Sequence, residues 1–327
     1  MRGWWQDLTD LVLPAECAGC GRPRALLCPE CRDAVGRAGP RRVRPVPEPP
    51  GLPVVHAVAP YADEVRALLL AHKERGALGL AAPLGTALAG AVRAGLRGTG
   101  AEQVNGHGAG AVPDGVRGVG PAPAGRRDAT AVPPVAQGGA AVREPVLLVP
   151  VPSSRGAVRA RGHDPARRIA LAAAGELRRT GTPARVLGVL RQRRPVADQA
   201  GLDSRQRLEN LAGALAVAAG GGRLLAGGRI VLVDDLMTTG ASLAEAARAL
   251  RAARRETAVY DGMAREGRAQ WTAGVTTATE EEPVSSRTGE AYRSEGVLGR
   301  ASRDTAGDAV RAAVVAASPE SFEMNRN

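Results

Sequence analysis

The apolar residues of the chain form short continuous runs and longer stretches with helical spacing. Residues 230–233 are four consecutive β-favouring residues, and a similar V-L-L-V run follows Pro145. Such runs are typical of strands buried on both faces of a parallel sheet. Residues 54–60 are a further strand candidate, and a short strand is expected within residues 185–194.

Helical spacing marks several other stretches. Residues 63–75 carry apolar side chains on one side, and a helix is predicted to begin at Pro165 with Asp164 as its N-cap. Another helix is predicted directly after Ser242. A helix packed on a core is predicted where apolar residues recur every four positions, at Leu80, Leu84, Leu88 and Val92. Buried strands followed by helices predict an α/β fold in which helices flank a parallel sheet.

Several stretches lack both patterns. Residues 41–53, rich in Pro and Arg, are predicted to be a linker, and residues 99–144 a disordered low-complexity insertion. The polar residues 266–327 are predicted to be a disordered tail, within which residues 309–317 are a candidate for a short helix. The ordered units predicted between them are 1–40, which includes a short N-terminal helix, 54–98 and 145–265.

Charge and composition set weaker limits on function. The chain has 44 basic and 33 acidic residues, which suits a polyanionic partner, but nearly all the positive charge is arginine. A genome rich in G and C would give the same arginine bias, so both origins of the charge stay open. Aromatic residues make up 2% of the chain and offer little surface for stacking nucleic-acid bases.

Neither an export signal nor a membrane span is expected. Asp7 and Asp10 lie where a signal peptide would carry its apolar run. The uncharged residues 77–92 contain Pro83 and are short for a span. The sequence therefore predicts a soluble, cytoplasmic protein that does not span a membrane.

All four cysteines lie within fifteen residues, in two C-x-x-C pairs, Cys17, Cys20, Cys28 and Cys31. Two such pairs can direct four thiolates at one tetrahedral ion, and Gly19 and Gly21 would allow the tight turns. Disulfides are the alternative, but a cytoplasmic location favours zinc. A site with four thiolates leaves no open coordination position, so the predicted Zn²⁺ is structural.

The strongest candidate for a ligand site is the segment R-I-V-L-V-D-D-L-M-T-T-G-A-S at residues 229–242. Asp234 and Asp235 end the predicted strand, and they could accept sugar hydroxyls or hold a divalent metal. A turn with hydroxyls and a glycine then leads into a helix, which predicts an anion cradle made of Thr238, Thr239, Gly240, Ala241 and Ser242.

Two alternatives to this anion cradle make different demands on the sequence. A nucleoside triphosphatase would need a glycine-rich loop ending in Lys-Ser or Lys-Thr, but Lys73, the only lysine, is followed by Glu74. An ordinary strand, turn and helix, with the two acids serving as helix caps, remains as the alternative.

A second anion site is predicted between the strand after Pro145 and the helix that begins at Pro165. Its candidate residues are Ser153, Ser154, Arg155, Arg159 and Arg161. The alternative is a basic surface turn in an arginine-rich protein. His72 and Lys73 are further candidates for contacting phosphate. The alternative is that they lie at a solvated helix end, where the helix dipole favours cationic residues.

The acid pair and the Thr-Thr-Gly turn closely resemble the phosphoribosyl-pyrophosphate (PRPP) motif of the type I phosphoribosyltransferases. The resemblance implies the type I phosphoribosyltransferase fold. It also implies that Asp234 and Asp235 are catalytic residues that contact the ribose hydroxyls, and that residues 238–242 surround the 5-phosphate. It also implies that residues 153–161 form the pyrophosphate loop and that Mg²⁺ accompanies PRPP.

Three elements in this order resemble the ComF family of competence-associated, phosphoribosyltransferase-like proteins. They are V-P-V-P with a downstream R-G-H-D, the series Gln199, Leu202, Arg207 and Asn210, and the V-D-D-L-M-T-T-G-A-S segment. The four cysteines and residues 61–73 fit the same family. The resemblance covers residues 17–265 apart from the insertion.

This resemblance implies one of two functions. The first is a phosphoribosyltransferase that acts on an unknown nitrogen acceptor, with residues 191–210 as the candidate acceptor hood, in a setting of DNA uptake. The second is a non-catalytic PRPP or nucleotide sensor that uses its zinc knuckle to contact DNA-uptake proteins or single-stranded DNA.

Overall fold

The structure is a computed structural model of the 327-residue chain. It describes residues 16–37, 39–101, 144–196, 201–276 and 310–325. The predicted N-terminal helix, nearly all of the predicted insertion and Gln199 lie outside these residues.

The described residues form one six-stranded sheet and one small two-stranded sheet. Numbered in chain order, the strands of the large sheet are β1 (Arg41–Val43), β2 (Val54–Pro60), β3 (Val146–Pro150), β4 (Ala184–Val186), β7 (Arg229–Met237) and β8 (Arg311–Ala317). Their spatial order is β1-β2-β8-β7-β3-β4, and every pairing is parallel except β1 with β2. The small sheet pairs β5 (Leu190–Gln192) with β6 (Leu215–Val217) antiparallel.

The helices connect these strands. They are α1 (Pro29–Gly36), α2 (Asp63–Glu74), α3 (Ala81–Ala101), α4 (Arg155–Arg161), α5 (Pro165–Arg179), α6 (Ser204–Leu211), α7 (Gly221–Leu225) and α8 (Ala241–Thr276). Short 3₁₀ helices span Leu78–Leu80 and Pro319–Asn325.

The large sheet has a hydrophobic layer on each face. On one face, α3 and α5 bury Leu84, Leu88 and Ile169 against alternate residues of the parallel strands. On the other face, α8 buries Leu243 and Leu250. Strands covered on both sides must be apolar throughout, which explains the continuous run of β7.

Several sequence predictions are confirmed. The fold is α/β with a mostly parallel sheet, strands form at residues 54–60 and 230–233, and Asp164 caps α5 through its Oδ1, 3.1 Å from the Arg167 N–H. Pro165 is the first residue of that helix. The residues with four-residue spacing, Leu80, Leu84, Leu88 and Val92, are all buried.

The predicted disordered tail is wrong for residues 310–325. Residues 311–317 form β8, the strand between β2 and β7, so the candidate helix there is wrong too. The segment R-A-A-V-V-A-A has few large side chains, and alanine favours helices, which hid the strand. Pairing on both sides and burial against α3 override that local preference. Residues 266–276 are also helical, since α8 continues to Thr276.

The predicted linker is likewise only partly correct. Residues 41–43 form β1, whose Val43 is buried and pairs with Val55. The single short strand expected within residues 185–194 is instead the end of β4, which joins the large sheet, and the whole of β5, which joins the small one. An edge strand of three residues carries too short a pattern to be recognised in sequence.

One helical stretch, Leu78–Arg97, is long and apolar enough to cross a membrane by length and composition. Leu78 is exposed, but Leu80, Leu84, Leu88 and Val92 are buried in the core that this stretch forms with α5 and the sheet.

Candidate functional site

A crevice is expected where neighbouring parallel strands send their helices to opposite faces of a sheet. The chain leaves β3 towards α5 on one face and leaves β7 towards α8 on the other. In open α/β sheets, ligands bind outside the carboxyl ends of the strands at such a switch point. Both predicted anion sites follow these two strands, so the fold brings them to the same edge of the sheet.

The acid pair lies near the carboxyl end of β7, which was expected to end at these acids but continues to Met237. Asp235 is buried, and Asp234 is half-buried and accepts the Asp235 N–H on its Oδ1 at 2.9 Å. The Lys73 ammonium, at the end of α2, lies 3.2 Å from Asp235 Oδ2. The Lys73 side chain is 33% exposed and that of Asp235 is 8% exposed, so this ion pair is largely removed from water.

The pKa values of the cluster are coupled through charge. Burial raises the pKa of Asp234 well above its usual range, and the neighbouring Asp235 raises it further, while Lys73 opposes the shift. Burial alone would lower the pKa of Lys73, but the charges of Asp235 and Asp234 outweigh burial and raise it. The cluster therefore holds a stable cation against the acids.

The turn after the acid pair is constrained at its glycine. Gly240 has a φ of +75°, and a Cβ there would lie 3.1 Å from Leu52 Cδ1 and 3.3 Å from Pro45 Cγ. A side chain at this position would therefore be both strained and crowded. Thr238 is exposed, Thr239 and Ser242 are half-buried, and Ala241 is buried at the start of α8. The first turn of that helix directs backbone N–H groups out of its end.

The end of α2 is fastened to the turn between α4 and α5. Arg161 Nε lies 3.0 Å from Glu74 Oε2. The His163 ring is buried, with Nε2 3.1 Å from the His72 carbonyl and Nδ1 3.1 Å from the Arg161 carbonyl. These contacts place Lys73 at the crevice. His72 is fully buried and Lys73 is paired with Asp235, whereas Glu74 and Arg75 at the end of the helix are exposed.

The candidates for the second anion site have different environments. Ser154 is the N-cap of α4, and its Oγ accepts the Ala157 N–H at 3.1 Å. Ser153 is half-buried after β3, Arg155 and Arg159 are exposed on α4, and Arg161 bridges to α2. Arg161 is thus the member of this group most closely joined to the acid-pair cluster.

Lys73 and Arg207 are site residues whose place could not be derived from sequence spacing. Arg207 donates from Nη1 to Thr238 Oγ1 at 3.5 Å, which brings α6 to the turn. The small sheet is fixed to α8 because the buried Glu245 accepts the Leu215 N–H at 3.0 Å. Arg248 binds both Glu245 and the Leu215 carbonyl. The sequence named Lys73 as a candidate for contacting phosphate, and the structure places its ammonium on Asp235.

The four cysteines form a second cluster, with all their Sγ atoms within 4.8 Å of one another. None is in a disulfide, and Cys17, Cys28 and Cys31 are buried while Cys20 is exposed. Their Sγ atoms could hold a metal ion. Cys17, Cys28 and Cys31 also belong to the main core, together with Val65 and Leu68 of α2, rather than to a separate unit.

Backbone donors support the thiolate form of Cys17, whereas burial raises the pKa of Cys31. The Cys28 N–H donates to Cys17 Sγ at 3.4 Å, and the Cys31 N–H to Cys28 Sγ at 3.5 Å. Burial tends to raise the pKa of Cys17, but N–H donors, Cys28 first, lower it to about 6. Gly21 has a φ of +77°, as its predicted turn requires, whereas Gly19 is needed for space, because a Cβ would lie 2.7 Å from Cys31 Sγ.

A scan of the chain against models of known protein families gives no match, and a search among curated proteins finds no significant relative.

Proposed function

We propose that the crevice between β3 and β7 binds PRPP with Mg²⁺ and that the protein transfers the phosphoribosyl group to a nitrogen acceptor. One observation carries the proposal. Two adjacent carboxylates, a Thr-Thr-Gly turn and a helix N-terminus follow one another at a switch point of the sheet. This is the arrangement that the resemblance to type I phosphoribosyltransferases implies.

Each part of the ligand would meet a matching group. The ribose hydroxyls would donate to Asp234 and Asp235, and the 5-phosphate would accept hydrogen bonds from the N–H groups of residues 238–242. The pyrophosphate would lie towards Arg161 on the side of β3. In the transfer, the bond from ribose C1 to pyrophosphate breaks, a C1–N bond forms and the acceptor nitrogen loses a proton. Such a step depends mainly on positioning and on charge stabilisation.

Mg²⁺ fits the donor set as a companion of the ligand. Carboxylate and hydroxyl oxygens are the ligands that Mg²⁺ prefers, and it usually binds through one or two carboxylates together with substrate phosphates. Asp234, Asp235 and Thr238 are the residues that would hold it or its water shell. When bound, Mg²⁺ would neutralise the charge of the departing pyrophosphate.

We further propose that the four cysteines hold a structural Zn²⁺. Four sulfur ligands satisfy the tetrahedral coordination of zinc, and three of the four side chains are buried in the core. Free thiols suit a reducing compartment, so a cytoplasmic location is part of the proposal. The ComF-like motifs make DNA uptake the proposed biological setting.

Calorimetric titration with PRPP, with and without Mg²⁺, tests the proposed ligand. The wild-type protein is expected to bind PRPP only with Mg²⁺, and Asp234→Asn/Asp235→Asn is expected to lose binding while remaining folded. The matched control is Glu209→Gln, which removes an exposed carboxylate that pairs with Arg205 on α6 and should leave binding unchanged. Equal binding by the double variant and the wild type would contradict the assignment.

Turnover is a separate question from binding. Binding without pyrophosphate release, for every purine, pyrimidine and amine acceptor tried, would favour the alternative function of a PRPP or nucleotide sensor. Release of pyrophosphate in the presence of one acceptor would identify that acceptor as the molecule that receives the phosphoribosyl group.

A further inference from the structure

Lys73 is the only lysine in a chain with 44 lysine and arginine residues, and its ammonium lies on the acid pair. The contact joins α2 to β7, two elements far apart in sequence. Lysine carries a compact point charge, whereas the arginine guanidinium is a wide planar fork. A small ammonium 3.2 Å from one Asp235 oxygen therefore takes the place that a metal ion would otherwise take at that carboxylate.

We propose that Lys73 is a built-in counter-ion that keeps free divalent cations off the acid pair, so that the site accepts a cation only together with an anionic ligand. The inference rests on the proposed function for the identity of that ligand. The proposal concerns which species bind to the acid pair. The phosphate ester and its cation bind together, and the metal ion does not bind alone.

The charges around the acid pair support this selectivity. Asp235 is buried and already paired, so a free divalent cation would have to displace Lys73 or lie beside a like charge. Arg161 pairs with Glu74, the residue next to Lys73, and Arg207 reaches Thr238, so further cations lie around the crevice. A polyphosphate ester brings negative charge that offsets all of these cations, which a bare metal ion cannot do.

The fastening of α2 keeps the counter-ion in place. The Arg161–Glu74 ion pair and the contact of His163 with the His72 carbonyl hold the residues on both sides of Lys73. An ammonium on a free surface helix end would move away from an incoming cation at little cost. Here the backbone that carries Lys73 is tied to the α4–α5 turn.

The test uses Mn²⁺ alone as the probe, with its binding followed by electron paramagnetic resonance. The wild type is expected to bind Mn²⁺ weakly, whereas Lys73→Met should bind it at least about tenfold more tightly. Arg75→Met is the matched control, because it removes an exposed cation two residues away whose Nη2 donates to the Ala67 carbonyl. It should leave Mn²⁺ affinity unchanged. Thermal unfolding verifies that each variant is folded.

The outcomes separate this inference from the proposed function. A gain of Mn²⁺ affinity in Lys73→Met alone supports the counter-ion, even if Mg²⁺–PRPP fails to bind the wild type. If the wild type binds Mg²⁺–PRPP but Lys73→Met gains no Mn²⁺ affinity, the counter-ion inference is overturned and the proposed function stands. Tight binding of Mn²⁺ alone to the wild type also overturns it.

Discussion

The cysteine cluster and the acid-pair crevice are built in different ways. The four cysteines come from one stretch of fifteen residues, lie close to one another and are mostly in the core. The crevice is formed by α2, α6, the turn after β3 and the turn after β7. One of its acids, Asp235, pairs with the Lys73 ammonium. Clustered thiols packed into the core are typical of a stabilising metal site, whereas adjacent carboxylates repel one another and are typical of a ligand site.

The two sites share one helix. A Cβ on Gly19 would lie 3.5 Å from Glu64 Cβ near the start of α2, and Lys73 near its end reaches Asp235. At a rise of about 1.5 Å per residue, these two ends lie roughly 14 Å apart along the helix. Changes at the cysteines can therefore alter the crevice through the position of α2.

The largest predicted effect is the loss of a metal ligand. Cys28→Ser removes a buried thiolate and should lower the free energy of unfolding by at least about 3 kcal/mol, with loss of bound zinc. Urea denaturation and elemental analysis of the purified protein measure the two quantities. A chelator should destabilise the wild type to the same extent and leave the variant unchanged. Full stability of a metal-free wild type would contradict a structural metal.

A smaller effect is predicted for Gly19→Ala. The new Cβ would lie 2.7 Å from Cys31 Sγ, so the ligand must move. We expect metal affinity to fall about tenfold or more and the free energy of unfolding to fall by about 1–3 kcal/mol. Gly36→Ala on α1 is the matched control, since nothing lies within 4 Å of its Cβ position. Metal competition with a coloured chelator gives the affinity, and equal affinity in both variants would be the contrary result.

Substitution of an acid in the crevice should change stability in the opposite direction, because it should raise the free energy of unfolding. The pKa of Asp234 is raised by burial and by Asp235, so this carboxyl favours the folded state below its unfolded pKa. That contribution is lost as the pH rises from the unfolded pKa through the folded pKa, so the carboxyl at Asp234 lowers stability above the ordinary pKa of an aspartate. Asp234→Asn should therefore be more stable than the wild type at about pH 7, and the difference should vanish near pH 3, below the ordinary pKa of an aspartate.

Urea denaturation at the two pH values measures this effect. Glu209→Gln removes an exposed, surface-paired carboxylate and should change stability by less than about 0.5 kcal/mol. An Asp234→Asn protein that is less stable than the wild type at neutral pH would show that the acid supports the fold rather than opposing it.

Local sequence patterns were sufficient to predict much of the fold and the cysteine cluster. The buried run of β7, the four-residue spacing in α3 and the cap of α5 at Asp164 are determined by neighbouring residues, and each is as predicted. The cysteine spacing likewise brings four Sγ atoms together. Periodicity and caps express physics that acts over one or two turns of chain.

Two missed strands and the surroundings of Lys73 depend on contacts between distant residues. The alanine-rich β8 is a strand because β2 and β7 pair with it on both sides, and β1 is a strand because it pairs with β2. Lys73 belongs to the crevice because Arg161 and His163 hold the end of α2 there. Strand pairing and side-chain contacts between distant residues cannot be recognised from the sequence pattern of one short segment.

Amide hydrogen exchange with and without Mg²⁺–PRPP is the sharpest test of the crevice as a ligand site, because it reports where the ligand acts. We expect saturating ligand to slow exchange in residues 238–243 and in the turn at 151–155, with little change in residues 16–36 around the cysteines. Protection around the cysteines alone, or no protection at either turn with ligand bound, would contradict the assignment of the crevice as the PRPP site.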